Sequence, residues 1–296
     1  MTSVLDRLPP WATTGVGSLP HADPGTAAAQ AVRGYDLPFC PQLPALDGDM
    51  VAEWLGAEPR RSGWSAERDR EPPRAWVALL AELAVVPPEH RVVKLQVTGP
   101  VTLACALERG GGARDDGLLA ALAAWLAADV AARVAVLRER GLEALVVVDE
   151  PALAAAGDRA GIARCWDPLR ALGVPWGLHL CCAVPWDVVD RAAPDVLSLD
   201  LVITPVDRRA VTSLHALLAR GGRVAWGVLP VDREESPALA AARLDAAIAG
   251  CGAAGERSLL TPSCGTGRQS RRRETLVARV LRELARARRA PPRRPS

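Results

Sequence analysis

Trp176-Gly-Leu-His-Leu-Cys-Cys182 is the stretch on which the reading of this chain turns. It has the length of a short buried strand and ends on His179, Cys181 and Cys182. Strands that are apolar throughout, rather than on alternate residues, belong to a parallel sheet covered by helices on its faces. The same design recurs in Val92-Val-Lys-Leu-Gln-Val-Thr98, Ala144-Leu-Val-Val-Val-Asp149, Val196–Leu201, Arg223–Leu229 and Ser258–Pro262. Thr13–Pro20 is a first strand running into a Gly/Pro loop, and Leu37–Pro44 is an extended segment whose prolines suit a strand poorly.

Helical patterns separate these runs. Asp23-Pro24 opens a helix, with proline in its first turn. Asp47–Leu55 reads as a short helix, and Glu58–Arg74, rich in Arg, Pro and Ser, as an excursion over the mouth of a barrel or a mobile loop. Gly99-Pro100 turns into a helix through Leu107, and Leu118–Arg140 repeats apolar residues at helical spacing. Further helices are expected at about Ala160–Leu172, from about Trp186, at Arg208–Arg220, Pro237–Ala249 and Gln269–Arg289. Eight strands alternating with helices predict an α/β fold of the (β/α)8 TIM-barrel type, one domain over residues 1–290, with a disordered tail at 291–296. The absence of Gly-x-Gly-x-x-Gly after any strand argues against a dinucleotide-binding sheet.

The bulk numbers fit. A chain of 296 residues with 49% hydrophobic residues can bury a full core, and a net charge of +2 does not suggest a nucleic-acid binder. No uninterrupted apolar run suggests a membrane span, and Met-Thr-Ser-Val-Leu-Asp-Arg is not a signal peptide. Seven irregularly spaced cysteines fit free thiols in a reducing cytoplasm.

Chemistry in a barrel collects at the C-terminal ends of its strands, and Ser18, Thr98, Asp149, Glu150, His179, Cys181, Asp200 and Cys264 all fall there. Residues two apart on a strand share a side, so His179 and Cys181 can aim a ring nitrogen and a thiolate at one point, while Cys182 faces away to pack. These are ligand types that zinc prefers. With Asp200 and Cys264, each closing another strand, they predict one metal held by His179, Cys181, Asp200 and Cys264. The bland alternative is cysteine as a small buried hydrophobe. Zinc at a barrel mouth would hold a substrate thiol as a thiolate for alkyl transfer. Asp149-Glu150 beside it is suited to an amino group or other cation. The same pair before Pro151 is also what a helix N-terminus favours. Lys94 is the only lysine among many arginines: either its position needs a compact ammonium or it survives by chance.

Seven short motifs then carry a resemblance: Thr14-Gly-Val-Gly-Ser18, Gly48-Asp-Met-Val51, Thr98-Gly-Pro-Val-Thr102, Asp149-Glu-Pro-Ala-Leu153, His179-Leu-Cys181, Asp195-Val-Leu-Ser-Leu-Asp200 and Ser263-Cys-Gly265. In this order, and over nearly the whole chain, they resemble the catalytic barrel of the cobalamin-independent methionine synthase family, a barrel also of the uroporphyrinogen-decarboxylase kind. The resemblance implies a zinc-dependent 5-methyltetrahydropteroyl-homocysteine methyltransferase-like enzyme, which transfers a methyl group to homocysteine to give methionine. It implies zinc on His179, Cys181 and Cys264, with Asp200 where the family has glutamate. It sets Val16 and Ser18 against the amino acid's carboxylate and Asp149 against its amino group. The donor would be 5-methyltetrahydrofolate or a methylcorrinoid protein.

Three departures from the family accompany it. The N-terminal half of the full-length synthase has no counterpart. Leu43-Pro-Ala-Leu-Asp47 replaces a segment that carries an amino-group glutamate. Leu229-Pro-Val-Asp-Arg233 replaces one with an acid histidine, leaving Asp232 as the stand-in. The rival expectations are an alkyltransferase using another thiol or alkyl donor, and a non-catalytic barrel with structural zinc.

Overall fold

Among the described residues seven parallel strands form, six of them from apolar runs: β1 (Ala12–Thr13), β2 (Val92–Thr98), β3 (Glu143–Asp149), β4 (Trp176–Leu180), β5 (Val196–Asp200), β6 (Arg223–Leu229) and β7 (Ser258–Pro262). The computed structural model describes residues 3–60, 64–66, 71–109, 116–157, 161–251 and 257–290; the tail expected at 291–296 lies outside them. The strand order is β1-β7-β6-β5-β4-β3-β2, so successive strands from β2 to β7 are neighbours. The sheet is curled, with helices on its outer side. Every residue of β2, β4, β5, β6 and β7 is buried, as a sheet filled inside and covered outside requires.

Two apolar clusters divide the interior. A small one gathers Leu5, Leu8, Leu37, Val92, Leu145, Val147, Val196 and Leu259 inside the curl, near the strand starts. The larger one lies between strands and helices and includes Leu95, Val146, Val148, Trp166, Leu178 and Trp226.

The eight-strand expectation needs correction. Leu37–Pro44 is not a ladder strand, although it lies between the two sheet edges. On the β2 side the Cys40 amide donates to the Lys94 carbonyl (3.0 Å) and the Lys94 amide to the Pro38 carbonyl (2.8 Å). On the β1 side the Leu37 amide donates to Thr13 (2.9 Å) and the Gln42 amide to Gly17 (3.1 Å). Pro38 and Pro41 have no N–H, so isolated bridges, Phe39–Lys94 and Ser18–Gln42, replace a ladder.

Other elements also differ. Asp47–Leu55 is two short helices, Pro44–Asp47 and Ala52–Leu55, parted at Gly48, whose φ of 76° favours glycine. The end of the Glu58–Arg74 excursion starts an unanticipated helix, Arg74–Val85, that buries Trp76, Leu79 and Leu83. Ala160–Leu172 is not one helix: a 3-10 turn at Ile162–Arg164 and a four-residue helix at Asp167–Arg170 follow Gly161, left-handed at φ 85°. Among the described residues one helix, Gly117–Glu139, is long and apolar enough to cross a membrane by length and composition, though Asp129, Arg133 and Arg138 interrupt it. Its Leu118, Leu122, Leu126, Val130, Val134 and Leu137 are in the core.

Strand register sets the upper layer. Thr98 pairs with Asp149, Asp149 with His179, and His179 with Ser198. These residues therefore lie at one height, near the C-terminal strand ends.

Candidate metal centre and substrate cavity

The end of β4 and the end of β7 bring His179, Cys181 and Cys264 together: one ligand atom from each lies within 4.8 Å of the others. His179 is buried, and its Nδ1 is 2.8 Å from Ser198 Oγ on β5. Its Nε2 is equally buried and has no hydrogen-bond partner among the described residues. A buried ring nitrogen left bare beside two sulfur atoms is costly unless something else satisfies it. One imidazole and two thiols are a donor set that fits zinc, and a hydroxyl on the far ring nitrogen is the support that metal-bound histidines carry. The two thiols already interact. Cys264 is pulled well below the usual thiol range, chiefly by the Cys181 S–H, and Cys181 is pushed up as the donor of that pair.

Asp200 is not part of this triad. It is buried, and one carboxyl oxygen accepts from the Val202 amide at 2.8 Å. Burial raises its pKa, while the nearby His179 ring lowers it.

The triad opens into a cavity of about 370 Å³, whose lining includes Val16, Ser18, Pro44, Met50, Asp149 and Arg268. That size suits a small ligand. Ser18 locks the first loop to the cysteine loop: the Gly267 amide donates to its Oγ (3.2 Å) and the Thr266 amide to its carbonyl (2.9 Å). A Cβ on Gly265 would stand 2.1 Å from Ser18 Oγ, so a larger residue after Cys264 would push that hydroxyl off the Gly267 amide. A larger groove of about 1000 Å³ lies elsewhere, between the Ile162–Arg164 turn and the helix Trp186–Ala192, and contains none of the triad.

Asp149 ends a buried polar chain. Gln96 Nε2 donates to its Oδ1 at 2.6 Å, Lys94 Nζ donates to Gln96 Oε1 at 2.7 Å, and the same ammonium donates to the carbonyls of Val16 (3.0 Å) and Gly15. Burial pushes the Asp149 carboxyl up and the Lys94 ammonium down, and each charge counters the shift of the other.

Glu150 points the other way, as the next residue on a strand must. It accepts from the Val101 amide (3.1 Å), the Thr102 amide (2.8 Å), Thr102 Oγ1 (2.7 Å) and Trp166 Nε1 (3.2 Å). It thus caps the helix Pro100–Arg109, not a helix of its own, and does not line the cavity. Burial nevertheless pushes it up to about 7. Gly99 is required beside it, since a Cβ there would lie 2.1 Å from the carboxyl carbon. Cys182 is also on that side, its Sγ 3.7 Å from the Glu150 carbonyl. Asp232 is exposed, pairs with Arg233 at 3.3 Å, and is absent from the cavity wall.

Sequence reading missed Ser198 and Gln96. Both are inward positions of predicted strands, and Gln96 is two residues from Lys94, so the period-2 rule was the available signal.

No protein-family model and no curated protein sequence matches the chain. Solved structures do. A methyltransferase from Methanosarcina mazei is similar over 96% of this chain and 91% of its own, with a TM-score of 0.60 and 16% identity. A B12-independent methionine synthase from Shewanella sp. W3-18-1, in complex with selenomethionine, is similar over 74% of this chain and 67% of its own (TM-score 0.56, 16% identity). A putative vitamin-B12-independent methionine synthase from Listeria monocytogenes follows at TM-score 0.50 and 15% identity, over 74% of this chain and 70% of its own. What this chain has in common with them is an α/β fold built on a parallel sheet.

Proposed function

We propose that this protein is a zinc-dependent methyltransferase that methylates the thiol of homocysteine to give methionine. We further propose that it is built on a closed (β/α)8 barrel in which Leu37–Gln42 is the second stave. The observation that carries this reading is the bare, buried His179 Nε2 with two thiols inside 4.8 Å, at the wall of a small-ligand cavity. The fold likeness to methyltransferase structures is consistent with it.

His179, Cys181 and Cys264 would hold the zinc, with Asp200 as the candidate fourth ligand. Bound there, zinc would lower the pKa of the substrate thiol and keep it a thiolate at neutral pH. Ser198 holds the His179 ring by its Nδ1, fixing which nitrogen faces the metal. Val16 and Ser18 take the carboxylate of homocysteine and Asp149 its ammonium. The sulfur attacks the donor's methyl carbon; a carbon–sulfur bond forms, the donor's bond to that carbon breaks with its electron pair left on the donor (a folate nitrogen takes up a proton there), and the thiol proton leaves to solvent. The donor would be 5-methyltetrahydrofolate or a methylcorrinoid protein, and the setting a reducing cytoplasm. Asp232, paired with Arg233 in solvent, would have to move to serve as the acid.

One observation favours a second reading, a different thiol or alkyl donor: Pro44, from the segment replacing the family's amino-group glutamate, lines the cavity. Measuring metal in protein purified without added metal tests both. One zinc per chain, lost in Cys264→Ser with the fold kept, and an added sulfur at the zinc X-ray edge with homocysteine, is the expected result. Zinc indifferent to homocysteine would favour another thiol or a structural ion in a non-catalytic barrel. No zinc would overturn the reading.

A further inference from the structure

We propose that Lys94 is a positioning residue that acts on the substrate through Gln96 and Asp149, and that it makes the cavity select thiols carrying an ammonium group. This rests on the thiol-binding reading above.

The argument is one of hydrogen-bond polarity. Three oxygens receive Lys94 Nζ: the carbonyls of Gly15 and Val16, and Gln96 Oε1. An ammonium has three donors and no acceptor, so this arrangement matches the charged form with nothing left over. Lys94 therefore dictates which end of the Gln96 amide faces it. The oxygen must turn to Lys94, and the NH2 group must turn to Asp149, where it donates to Oδ1 at 2.6 Å. An amide with both ends thus fixed holds Asp149 as an acceptor. A carboxylate aimed into the cavity in the accepting, ionised state is what an ammonium group needs.

The chain is packed on several sides. Lys94 and Gln96 are buried, and Lys94 also lies 5.2 Å from the Phe39 ring centroid, a cation–π contact. A Cβ on Gly17 would stand 2.8 Å from Gln96 Cγ, so the first loop drapes directly over the amide. That loop carries Val16 and Ser18. One ammonium therefore fastens both walls of the cavity, the Val16 wall by its carbonyl and the Asp149 wall by the amide. A guanidinium is larger and planar and cannot donate to three oxygens from a single nitrogen, which accounts for a lysine in a chain that otherwise uses arginine.

The test compares homocysteine with 4-mercaptobutanoate, the same thiol acid without its amino group. Zinc-loaded native protein, Lys94→Met, Gln96→Leu and the double variant would be titrated with each by calorimetry, with zinc content and melting temperature recorded. The native chain should bind homocysteine about tenfold or more tightly over its analogue, the discrimination a buried charged contact supports. Each single variant should bring the ratio near one with zinc retained, and the double variant should do no more, because one chain of bonds is cut twice. Variants that keep the native ratio would overturn the proposal. So would a native chain that binds both thiols equally, which would leave the zinc–thiol reading standing.

Should the native chain bind neither thiol, the reading of function falls and the positioning claim is decided spectroscopically. The single lysine gives one side-chain signal in 15N-lysine-labelled protein. A slowly exchanging ammonium that shifts in Gln96→Leu and Asp149→Asn is expected. A signal indifferent to both variants would overturn it.

Discussion

Asp149 and Glu150 are neighbours in sequence, both buried carboxylates, and they do unrelated work. Asp149 faces the inside of the curl, where Gln96 and Lys94 hold it toward a cavity shared with His179 and two cysteines. Glu150 faces outward and satisfies the first amides of the helix Pro100–Arg109 and the Trp166 indole. The chemistry of the two groups is the same; a strand's alternation turns one toward the cavity and the other into the scaffold. An acidic pair at a strand end is thus not a catalytic pair until its faces are known.

The sharpest way to break the comparison is to remove each acid. Glu150→Ala strands two helix amides and an indole N–H in the core, and should lower unfolding free energy by about 3 kcal/mol or more, read from denaturant melts. A loss below about 1 kcal/mol would show that water or movement of the helix replaces the cap.

Glu150 also ties stability to pH. Its folded pKa, about 7, lies above the unfolded value of 4.5, so the contribution is fully present below pH 4.5 and is lost as pH rises through 7. The difference between native protein and Glu150→Gln should therefore change by up to about 3 kcal/mol across that window, in the sense that the native chain loses ground as pH rises. A flat difference would mean the four donors keep Glu150 ionised throughout.

Asp149→Asn should spare both stability and zinc content. Its expected effect is on homocysteine affinity, a loss of about tenfold or about 1.4 kcal/mol by calorimetry. Unchanged binding would remove Asp149 from the substrate's side of the comparison. Smallest of all should be Asp232→Ala, because its partner Arg233 is exposed with it. A shift under about 0.5 kcal/mol in the same melts is expected, and a larger one would mean the loop after β6 is held by that pair.

The fold was legible where burial imposed a pattern. Runs such as Val92–Thr98 and Ala144–Asp149 are apolar on both faces because helices and interior both exclude water, and these strands lie where they were expected. It was illegible where proline removed donors: Leu37–Gln42 touches both sheet edges without making a ladder. Ala160–Leu172 misled for a similar local reason, since apolar spacing persists through a turn that Gly161 breaks. Arg74–Val85 was hidden by the polar stretch before it.

What the sequence alone determined is the parallel α/β character and the set of ligand-type residues at strand ends. Both are consequences of local rules, the two-residue period of a strand and the burial of its faces. Only the tertiary structure decided which of those residues meet. It joined β4 to a loop more than eighty residues later, placing Cys264 beside His179 and Cys181. It left Asp200 near but outside that triad and Asp232 in solvent. It also gave Lys94 three oxygens to hold, two of them from a loop nearly eighty residues earlier. Such meetings depend on register between strands and on the curl of the sheet, properties of the assembled layers that no single strand carries.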